Sequence, residues 1–546
     1  MAVATGPARE SAISVQHVEA RAGAYADSVT LMQITARAQA VDGVRAALVA
    51  MATDLNLGLL AGLGLAAPPG TGQNDMLVAI VADDGDSLAQ ALAAVDAALT
   101  ARPADDAGGA DGTGGPAGQP SRTTLSGARR SGPGLALISV PGQHAFAEAV
   151  DALDTGCDVM IFSDNVPVAQ EIWLKDRAAE RGLLVMGPDC GTAIVAGIGL
   201  GFSHSVRRGP IGLVAASGTG AQQVVCLLDA AGAGVSAVLG VGGRDLSAEV
   251  GGRSARAALA ALDADPATEL IVLLSKPPAA EVAADLRAHA ASLATPVQFA
   301  LIGPGQPDLT AAAEAALRAT GRPVPDWPAW PAARATAPAA HAGTGAAGSA
   351  DPRGGTGALR GLFAVPRAGT GALRGLFAGG TLCDEAMVIA AERLGPVYSN
   401  VPLRPEWRLG PRAGPGRDAA ARHVMIDFGD DELTAGRPHP MIDQRLRLDR
   451  LAAEAADPAT AVIMLDVVLG HGAHPDPAAE LAPAISAART GRDLPVVISL
   501  IGASSDPQGL TAQASALAEA GAHVFASNAA AARFACDLVE QPGGAP

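Results

Sequence analysis

Residues 211–230 read IGLVAASGTGAQQVVCLLDA, and this stretch decides the fold class. Its first part, Ile211–Ala215, has the length and apolar composition of a buried β-strand. A turn rich in glycine and serine follows, and from Gln222 onward the composition is that of a helix. Similar apolar runs alternate with helical stretches along 135–302 and again along 424–526. Wholly apolar strands that alternate with helices predict parallel, doubly wound sheets with both faces covered, which is an α/β fold.

The overall composition argues against several classes of protein. There are 38 basic and 55 acidic residues, and the resulting net charge of −17 disfavours binding to nucleic acid. No apolar run is long enough to predict a membrane span, and the N-terminus lacks the apolar segment of a signal peptide. The five cysteines form no CxxC pair, which argues against a structural zinc site and a disulfide framework. We therefore expect a cytoplasmic protein with no metal, nucleic-acid or membrane partner.

Low-complexity sequence divides the chain into predicted domains. Residues 101–134 and 322–370 are rich in Gly, Ala and Pro and predict linkers. The decamer GTGALRGLFA occurs twice, at Gly355–Ala364 and Gly369–Ala378, and the second copy is predicted to be the native one because it leads into a helix. The predicted domains are a small N-terminal α+β module at 10–100, a partial Rossmann-like unit at 135–206, and two flavodoxin-like domains at 207–321 and 371–540.

The clearest candidate site is the turn Ser217–Gly220. Unpaired N–H groups at a helix start, together with the positive end of the helix dipole, attract anions, and the two hydroxyl groups of this turn add donors. The same turn also fits an ordinary serine N-cap in an α/β loop. The predicted phosphate-binding residues are Ser217, Gly218, Thr219 and Gly220, with Gly470 and Gly472 from a second glycine-rich turn.

Other turns that follow predicted strands provide candidate substrate contacts. MGPDCGT at 186–192 and GVGGRD at 240–245 lie in the first half of the chain, and DFGDD at 427–431 lies in the second. A nucleophilic role for Cys190 stays open beside the simpler interpretation of a tight turn with a buried thiol. The candidate substrate-binding residues are Gly187, Pro188, Asp189, Cys190, Gly242, Gly243, Asp427, Asp430, Asp431 and Ser504.

Two further turns contain the candidate catalytic residues Arg437, His439 and His471. They are RPHPMID at 437–443 and GHGAHPD at 470–476. The second turn has two histidines and an aspartate, which are metal-ligand residue types. Their spacing in a glycine-rich turn is unspecific, so a hydrogen-bonding or anion-contact role is favoured and no metal is predicted.

The motifs together resemble a known family. The order GPDCG (187–191), ASGTGAQ (216–222) and GVGGRD (240–245) is similar to the α subunit of succinyl-CoA synthetase, and the C-terminal half resembles the carboxy-terminal domain of the β subunit. In its whole-chain layout the sequence resembles the FdrA family of succinyl-CoA-synthetase-like proteins. The motifs that carry this resemblance are YADSVTLM (25–32), GGTLCDEA (379–386) and FGDDELTAGRPHPMID (428–443).

The resemblance implies a CoA-binding-like Rossmann unit and two succinyl-CoA-ligase domains. It also implies a phosphate held between two helix N-termini, which we expect at Ser217–Gly220 and Gly470–His474. The chain departs from the synthetase pattern because the strand at 297–302 ends in GPGQ, without the phosphohistidine. Neither an ATP-grasp domain nor the glycine-rich first turn of the CoA-binding unit is recognisable.

FdrA-type proteins are associated with oxamate carbamoyl transfer in allantoin catabolism. The resemblance therefore implies a subunit of a hetero-complex whose small-molecule substrates are an acyl phosphate and a carboxylate. Carbamoyl phosphate carries its own activation and requires neither ATP nor a phosphohistidine, and Arg437 or His439 would orient the oxamate carboxylate. No cofactor is predicted firmly, and coenzyme A is the only candidate. The alternatives are an acyl-CoA synthetase subunit with a separate ATP-grasp partner and a non-catalytic scaffold or regulatory binder.

Overall fold

The computed structural model describes two compact units. The first contains the N-terminal region together with Ser139–Pro141 and Thr434–Pro438, and the second contains the rest of the described chain. Most of the linker at 101–134, part of the linker at 322–370 and the first decamer copy lie outside the described residues. The residues described are 14–22, 24, 26, 28–72, 75–100, 124, 127, 129, 132–332, 371–409, 422–434 and 437–540.

The N-terminal unit is a three-stranded antiparallel sheet with helices on both faces. Its strand order is β1–β3–β2, so β3 is central. Alternate residues of β3 face opposite sides: Val78 and Ile80 pack in one apolar cluster, and Leu77 and Ala79 pack in the other. The elements are β1 (Val15–Arg21), α1 (Ser28–Gln39), β2 (Val44–Met51), α2 (Asp54–Gly62), β3 (Met76–Ala82) and α3 (Gly85–Thr100).

Two details of this module differ from the sequence interpretation. The first strand, Val15–Arg21, precedes an irregular stretch that the α+β pattern alone does not locate, and helix α2 lies between the second and third strands. Helix α2 has no polar face that would mark it as amphipathic. It forms because Thr53 accepts a hydrogen bond from Asn56 N–H and because Leu60 packs on the sheet.

The second unit begins with a small parallel sheet of order β4–β5–β6. It corresponds to the predicted Rossmann-like unit, but β7 and β8 from the same stretch of sequence pair with the next sheet instead. Its elements are β4 (Leu135–Ile138), α4 (Gly142–Asp154), β5 (Asp158–Ile161), α5 (Val168–Glu180) and β6 (Val185–Met186).

A six-stranded sheet follows, with the order β12–β11–β9–β10–β7–β8. Four of its strands are parallel in the flavodoxin-like order 2-1-3-4, and an antiparallel hairpin extends one edge. The elements are β7 (Thr192–Val195), β8 (Ile198–Gly201), β9 (Arg208–Ala216), α6 (Gly218–Ala230), β10 (Val235–Gly240), α7 (Arg253–Asp263), β11 (Leu270–Ser275), α8 (Ala280–Ala290), β12 (Val297–Leu301) and α9 (Leu309–Ala319).

The third sheet of the unit has seven strands in the order β13–β19–β18–β17–β14–β16–β15. The second decamer copy supplies its strand β14, which is buried at every position. Its elements are β13 (Ala329–Trp330), β14 (Ala372–Phe377), α10 (Gly380–Leu394), β15 (Val397–Tyr398), β16 (His423–Asp427), α11 (Asp431–Thr434), α12 (Arg445–Ala456), β17 (Thr460–Val468), α13 (Pro477–Ala488), β18 (Val496–Ile501), α14 (Leu510–Glu519), β19 (Ala522–Phe525) and α15 (Asn528–Glu540), with a 3-10 turn at Pro405–Trp407.

Part of the predicted second linker is structured. Ala329 and Trp330 form β13, which pairs antiparallel with β19. The indole N–H of Trp327 also donates to Glu314 on α9 over 3.0 Å. Two tryptophans therefore anchor a stretch whose Pro and Ala content alone indicates a linker.

Helices α6, α9, α10 and α15 lie between the two large sheets and share one apolar core with both. A buried polar network joins the helices. Glu385 accepts hydrogen bonds from Leu309 N–H at 2.6 Å and from the Asn528 side chain at 2.7 Å. Gln223 accepts the Asn528 N–H at 2.9 Å. These bonds fix how the helices pack between the two sheets. The N-termini of α6 and α10 lie side by side as a result.

The predicted fold class is confirmed. The structure has parallel, doubly wound sheets of α/β type together with a small N-terminal module. None of the helices within the described residues combines the length and apolarity that a membrane crossing requires.

Candidate functional site

Two helix N-termini meet in the second unit. Helix α6 starts after β9, and the Ser217 hydroxyl caps it by accepting the Gly220 N–H over 3.0 Å. Helix α10 starts after β14, with Gly379 at its N-cap position. The Oγ of Ser217 lies 2.6 Å from Oγ1 of Thr381. The first N–H groups of an α-helix have no backbone partner within the helix, so the donors of two helix starts lie close together here, although some of them already have side-chain acceptors.

The contact depends on glycine. A Cβ on Gly379 would lie 2.8 to 3.0 Å from the Thr219 side chain, and a Cβ on Gly220 would lie 2.6 Å from Ser217 Oγ. Real Cβ atoms do not approach other atoms this closely without a shift of the surrounding structure. We call the junction of Ser217–Thr219 with Gly379–Thr381 the anion cleft, after the function proposed for it below.

A buried ion pair holds the turn before α10. Asp466 accepts the N–H groups of Ala378 and Gly379 at 2.7 and 2.8 Å. Arg447 donates to the same carboxylate from 3.2 Å, and both side chains are inaccessible. Burial raises the pKa of Asp466, while Arg447 opposes that rise. The pair fixes the position of α10 and uses two of the N–H groups at its start.

A cation and a carboxylate lie beside the cleft. Lys276 directly follows β11, and its Nζ is 2.7 Å from Oδ2 of Asp384. A Cβ on Gly380 would lie 2.6 Å from Asp427 Oδ2 and 3.6 Å from Lys276 Nζ, so both groups border the first turn of α10. Burial would lower the pKa of Lys276, but Asp384 and Asp427 outweigh it and raise that pKa. The amine is therefore charged at neutral pH.

Asp427 is a carboxyl group suited to proton transfer. It ends β16, and its Oδ1 accepts the Gly429 N–H over 2.9 Å. Burial raises its pKa to about 7, although Lys276 and the Gly429 hydrogen bond lower it. A group that titrates near neutral pH can take up and release a proton during a reaction.

His439 is a neutral neighbour of Asp427. Burial, assisted by Arg447, lowers the pKa of His439 to about 4. Its Nδ1 accepts the Met441 N–H over 3.2 Å, so the ring proton of the neutral form is on Nε2. A Cβ on Gly429 would lie 2.9 Å from this Nε2 and 3.2 Å from Asp427 Oδ1. The predicted residues His439 and Asp427 are thus brought together.

The predicted loop Gly187–Gly191 contributes Asp189 to the same region. Asp189 is exposed, but desolvation by the surrounding loops, together with the nearby Asp431 and Asp164, raises its pKa to about 7, and Arg244 and Lys276 oppose this rise. The loop packs against the predicted loop at 240–245, because a Cβ on Gly242 would lie 2.4 Å from the carbonyl oxygen of Pro188. Gly243 lies on the Asp189 side, where its Cβ would be 3.7 Å from Oδ2.

Cys190, in the same loop, is buried. Burial raises the pKa of its thiol to about 12, and Sγ donates to the Thr192 carbonyl at 3.6 Å. A nucleophilic thiolate is therefore disfavoured, and a substrate contact by Cys190 stays a prediction.

The loop at 240–245 is held from behind by buried charges. Lys175 on α5 donates to Asp245 at 2.8 Å, to Glu171 at 2.7 Å and to the Val241 carbonyl at 3.1 Å. Asp245 in turn accepts the Ser254 and Ala255 N–H groups at the start of α7. These charged groups bond to one another and to the neighbouring backbone. We therefore interpret the network as structural.

The remaining predicted residues lie in different places. Asp430 accepts the Glu432 N–H at 3.1 Å, and burial followed by Asp164 raises the pKa of Asp431. Arg437 belongs to Thr434–Pro438, a segment of the N-terminal unit, so its role stays a prediction. Ser504 is exposed after β18, and its substrate contact also stays a prediction.

The second predicted half of the phosphate site has other partners. Gly470 N–H donates to the Gln508 side chain over 3.0 Å, and His471 forms a backbone bridge with Ser203. A Cβ on Gly472 would lie 3.0 Å from Phe202. The turn that directly contacts Ser217–Gly220 is instead Gly379–Thr381. The pairing of Ser217–Gly220 with Gly470–His474 stays a prediction.

The sequence interpretation missed Gly379–Thr381, Lys276 and Asp384. A signal for the first was present, because GGT follows a buried apolar run and precedes a helix, as SGTG does at Ser217–Gly220. Lys276 and Asp384 carried no signal, because a single lysine after a strand or a single acid in a helix is common on protein surfaces.

Comparison with known proteins places this geometry in a family. Residues 376–538 match the CoA-ligase family, and residues 14–114 match the family described as AllF, heavy metal-associated domain. The chain is 38% identical to the Escherichia coli protein YahF, described as uncharacterized, over 518 residues, which is 92% of this chain and 95% of YahF. The chain therefore belongs to the FdrA family of succinyl-CoA-synthetase-like proteins.

More distant matches cover part of the chain. The α subunit of succinate–CoA ligase from Aquifex aeolicus is 29% identical over 160 residues, which is 28% of this chain and 51% of that subunit. The chain thus spans about half the length of such ligase subunits. Among solved structures, an acetyl-coenzyme A synthetase from Korarchaeum cryptofilum, in complex with phosphate and ADP, has a TM-score of 0.27 and 15% identity, covering 74% of this chain and 82% of that one.

The N-terminal residues do not fit a heavy-metal site. Residues 14–114 contain no cysteine and only one histidine, His17, whereas soft metal ions favour thiolate ligands. Within the described ranges, no group of three or more His, Cys, Asp or Glu side chains could hold a metal ion. The module therefore matches this family in sequence, but its residues do not fit a heavy-metal ion.

The CoA-ligase match implies coenzyme A as a ligand. The chain, however, lacks the turn that usually binds the diphosphate of such a ligand. In Rossmann-type units a glycine-rich turn after the first strand lets a diphosphate approach a helix start. Here Gly142, the first residue of α4, packs against backbone, and its Cβ would lie 2.1 Å from the Asp164 carbonyl oxygen. This turn does not fit a diphosphate, so no step below depends on coenzyme A.

Proposed function

We propose that this chain is the acyl-phosphate-binding subunit of a carbamoyltransferase that converts oxamate and carbamoyl phosphate to oxalurate and phosphate, as in allantoin catabolism. The observation that carries the proposal is the direct contact of two helix starts at Ser217 and Thr381. Membership of the FdrA family supports the same reaction class.

The anion cleft suits the phosphoryl group of an acyl phosphate. Two helix dipoles and free N–H groups favour a dianion, and the hydroxyl groups of Ser217, Thr219 and Thr381 add donors. Lys276 supplies a positive charge beside the first turn of α10. These groups would stabilise the phosphate as it leaves, which is electrostatic catalysis by preorganised donors.

Asp427 and His439 are the proposed acid–base pair. The amide nitrogen of oxamate attacks the carbamoyl carbon, its proton passes to the Asp427 carboxylate, and the bond between that carbon and the phosphate oxygen breaks. The Nε2–H of neutral His439 is a donor for the carbamoyl oxygen, on which negative charge develops. Arg437 is proposed to orient the oxamate carboxylate, as a bidentate partner.

This reaction requires no ATP and no phosphohistidine. The loop after β12, Gly303–Gln306, contains no histidine to carry a phosphoryl group. An acyl phosphate arrives already activated, so its chemistry matches the residues that are present. We propose that other subunits complete the complex and contribute to the oxamate site.

The test is a transfer assay on the full chain, alone and with co-purified partner subunits. Carbamoyl phosphate and oxamate together should release phosphate and form oxalurate, and omission of oxamate should abolish oxalurate. No oxalurate under any combination, with acyl-CoA formed only when ATP and CoA are present, would reject the proposal.

The runner-up is an acyl-CoA synthetase subunit that uses coenzyme A and a separate ATP-grasp partner. The CoA-ligase match at 376–538 favours it. A scaffold or regulatory binder is the third candidate, and binding of phosphate without turnover in either assay would favour that function.

A further inference from the structure

A second cavity lies away from the anion cleft. It has a volume of about 400 Å³ and lies between the β7–β8 hairpin and the start of β9. Arg207 and His204 are among its lining residues. Ser217 follows the far end of β9, ten residues after Arg207, which in an extended strand corresponds to about 30 Å. Arg207 and Ser217 therefore lie at opposite ends of β9.

A buried histidine on the wall of this cavity has an unused nitrogen. His204 Nδ1 is 2.6 Å from Asp506 Oδ2, and both side chains are at most 1% exposed. Asp506 is held ionised: burial would raise its pKa, but hydrogen bonds from His204, Ala503 N–H and Ser205 N–H lower it. Nε2 of His204 has no hydrogen-bond partner among the residues that the structure describes. The contact between His204 and Asp506 fixes the segment that leads to Ser205, whose N–H donates to Asp506 Oδ1 over 2.8 Å.

Arg207 provides a cation on the same wall. Its Nε donates to Asp229 Oδ1 over 2.9 Å, and its side chain remains 53% exposed while that of Asp229 is 4% exposed. Because Asp229 occupies only the Nε edge, the two terminal nitrogens of the guanidinium remain for a ligand. This planar pair of donors matches a carboxylate.

Ser205 and His471 form the third part of the site. Their Oγ and Nε2 atoms lie 2.9 Å apart at the cavity wall. A hydroxyl group and an imidazole can each donate or accept, so the pair suits a ligand hydroxyl, which also does both. Ile194 and Val206 add apolar wall, and the volume falls within the range of small-molecule pockets.

We propose that this cavity binds a small hydroxycarboxylate, with its carboxylate at Arg207 and its hydroxyl at Ser205 and His471. Nothing in this assignment depends on the carbamoyl-transfer reaction. The segment that carries Ser205 also contains Phe202, whose carbonyl accepts from Gln222 in the first turn of α6. The ligand site and the anion cleft are therefore connected through one short segment.

The test is calorimetric titration of the full chain with glycolate and with L-lactate. Saturable binding of one ligand per chain is expected at about 10 mM or below, the range in which a millimolar Kd is measured. Acetate, which lacks the hydroxyl, should bind more weakly. Absence of saturable binding of both hydroxycarboxylates would overturn the proposal.

Two variants and a control localise the binding. Arg207→Lys keeps the charge beside Asp229 but loses the planar pair of donors, so glycolate affinity should fall roughly tenfold. Ser205→Ala should weaken the binding of glycolate but not the binding of acetate. Arg318→Lys, on the 62% exposed Arg318 side chain of α9, is the matched control and should bind as the wild type does.

A competition experiment separates this site from the anion cleft. Saturating inorganic phosphate should leave glycolate affinity unchanged. Displacement of glycolate by phosphate, or equal affinity in Arg207→Lys and wild type, would overturn the proposal. A failure of the transfer assay alone would count against the proposed function and leave these binding results intact.

Discussion

Two glycine-rich turns look alike in the sequence and differ in the fold. SGTG at Ser217–Gly220 opens a helix directly, so its N–H groups are at a helix start and face the equivalent start at Gly379–Thr381. GHG at Gly470–Gly472 does not open a helix, and its first N–H is taken by Gln508. Glycine content alone therefore does not identify an anion site. The property that distinguishes the two turns is whether their N–H groups already donate to an acceptor within the protein.

The largest expected effect follows from separating the two helix starts. Gly379→Ala places a methyl group 2.8 to 3.0 Å from the Thr219 side chain, so α10 must shift away from α6. A displacement on the order of 1 Å in a preorganised site can reduce turnover about 100-fold. Carbamoyl transfer and the affinity for inorganic phosphate measure the loss. Gly134→Ala is the control, because nothing lies within 4 Å of its Cβ. Wild-type phosphate affinity in Gly379→Ala would contradict the role of this contact.

The next effect concerns the proton-transfer group beside the first turn. Asp427→Asn removes the proposed base and should lower kcat by a factor of about 10² to 10⁴. In the wild type, the base form is lost as pH falls through the pKa of about 7, so activity should rise with pH and level off above it. Asp427→Asn should lack this limb of the pH profile. An unchanged limb in the variant would assign it to another group.

A stability effect of intermediate size is expected at Asp189. Its pKa is raised in the fold from 3.8 to about 7, so wild-type stability falls as pH rises between those values and is constant above them. Asp189→Asn does not titrate, and its melting temperature relative to wild type should therefore increase over the same interval. Thermal unfolding from pH 4 to pH 8 checks this. A difference that does not vary with pH would show that Asp189 keeps its ordinary pKa in the folded protein.

The smallest effect on binding is expected at the second glycine-rich turn. Gln508→Ala removes the acceptor for Gly470 N–H and the donor to the Gly470 and His474 carbonyls. Loss of such partners costs about 1 to 3 kcal/mol in the free energy of unfolding. Phosphate affinity should remain within about twofold of wild type. A loss of phosphate affinity as large as that of Gly379→Ala would instead support the pairing of Ser217–Gly220 with Gly470–His474.

Much of the fold was predictable because local pattern determines it. Apolar runs such as Ile211–Ala215 and Ala461–Val467 form buried parallel strands, since a strand covered on both faces must be apolar throughout. The glycines at Ser217–Gly220 likewise predicted a turn at the end of a strand. In contrast, the short strand at Ala329–Trp330 forms only because β19 offers an edge to pair with.

The candidate site was predictable only in part. Asp427, His439 and Asp189 were found because each follows a strand in a turn with unusual residues. Their pKa shifts depend on burial and on neighbours, and Lys276, which acts on both Asp189 and Asp427, lies far from them in sequence. Local cues in the sequence do not decide which turn contacts Ser217–Gly220, because several glycine-rich turns follow buried strands.

The sequence by itself determined the α/β class, the turn and helix start at Ser217–Gly220 and the membership of the FdrA family. These properties depend on residues that are neighbours in the chain, where spacing and composition act directly. Only the tertiary structure decided that Gly379–Thr381 contacts that turn and that Lys276 and Asp427 lie beside it. The tertiary structure likewise decided that the Gly470 N–H donates to the Gln508 side chain. These contacts join residues far apart in the chain, and the packing of two sheets around four shared helices selects among turns that are locally equivalent.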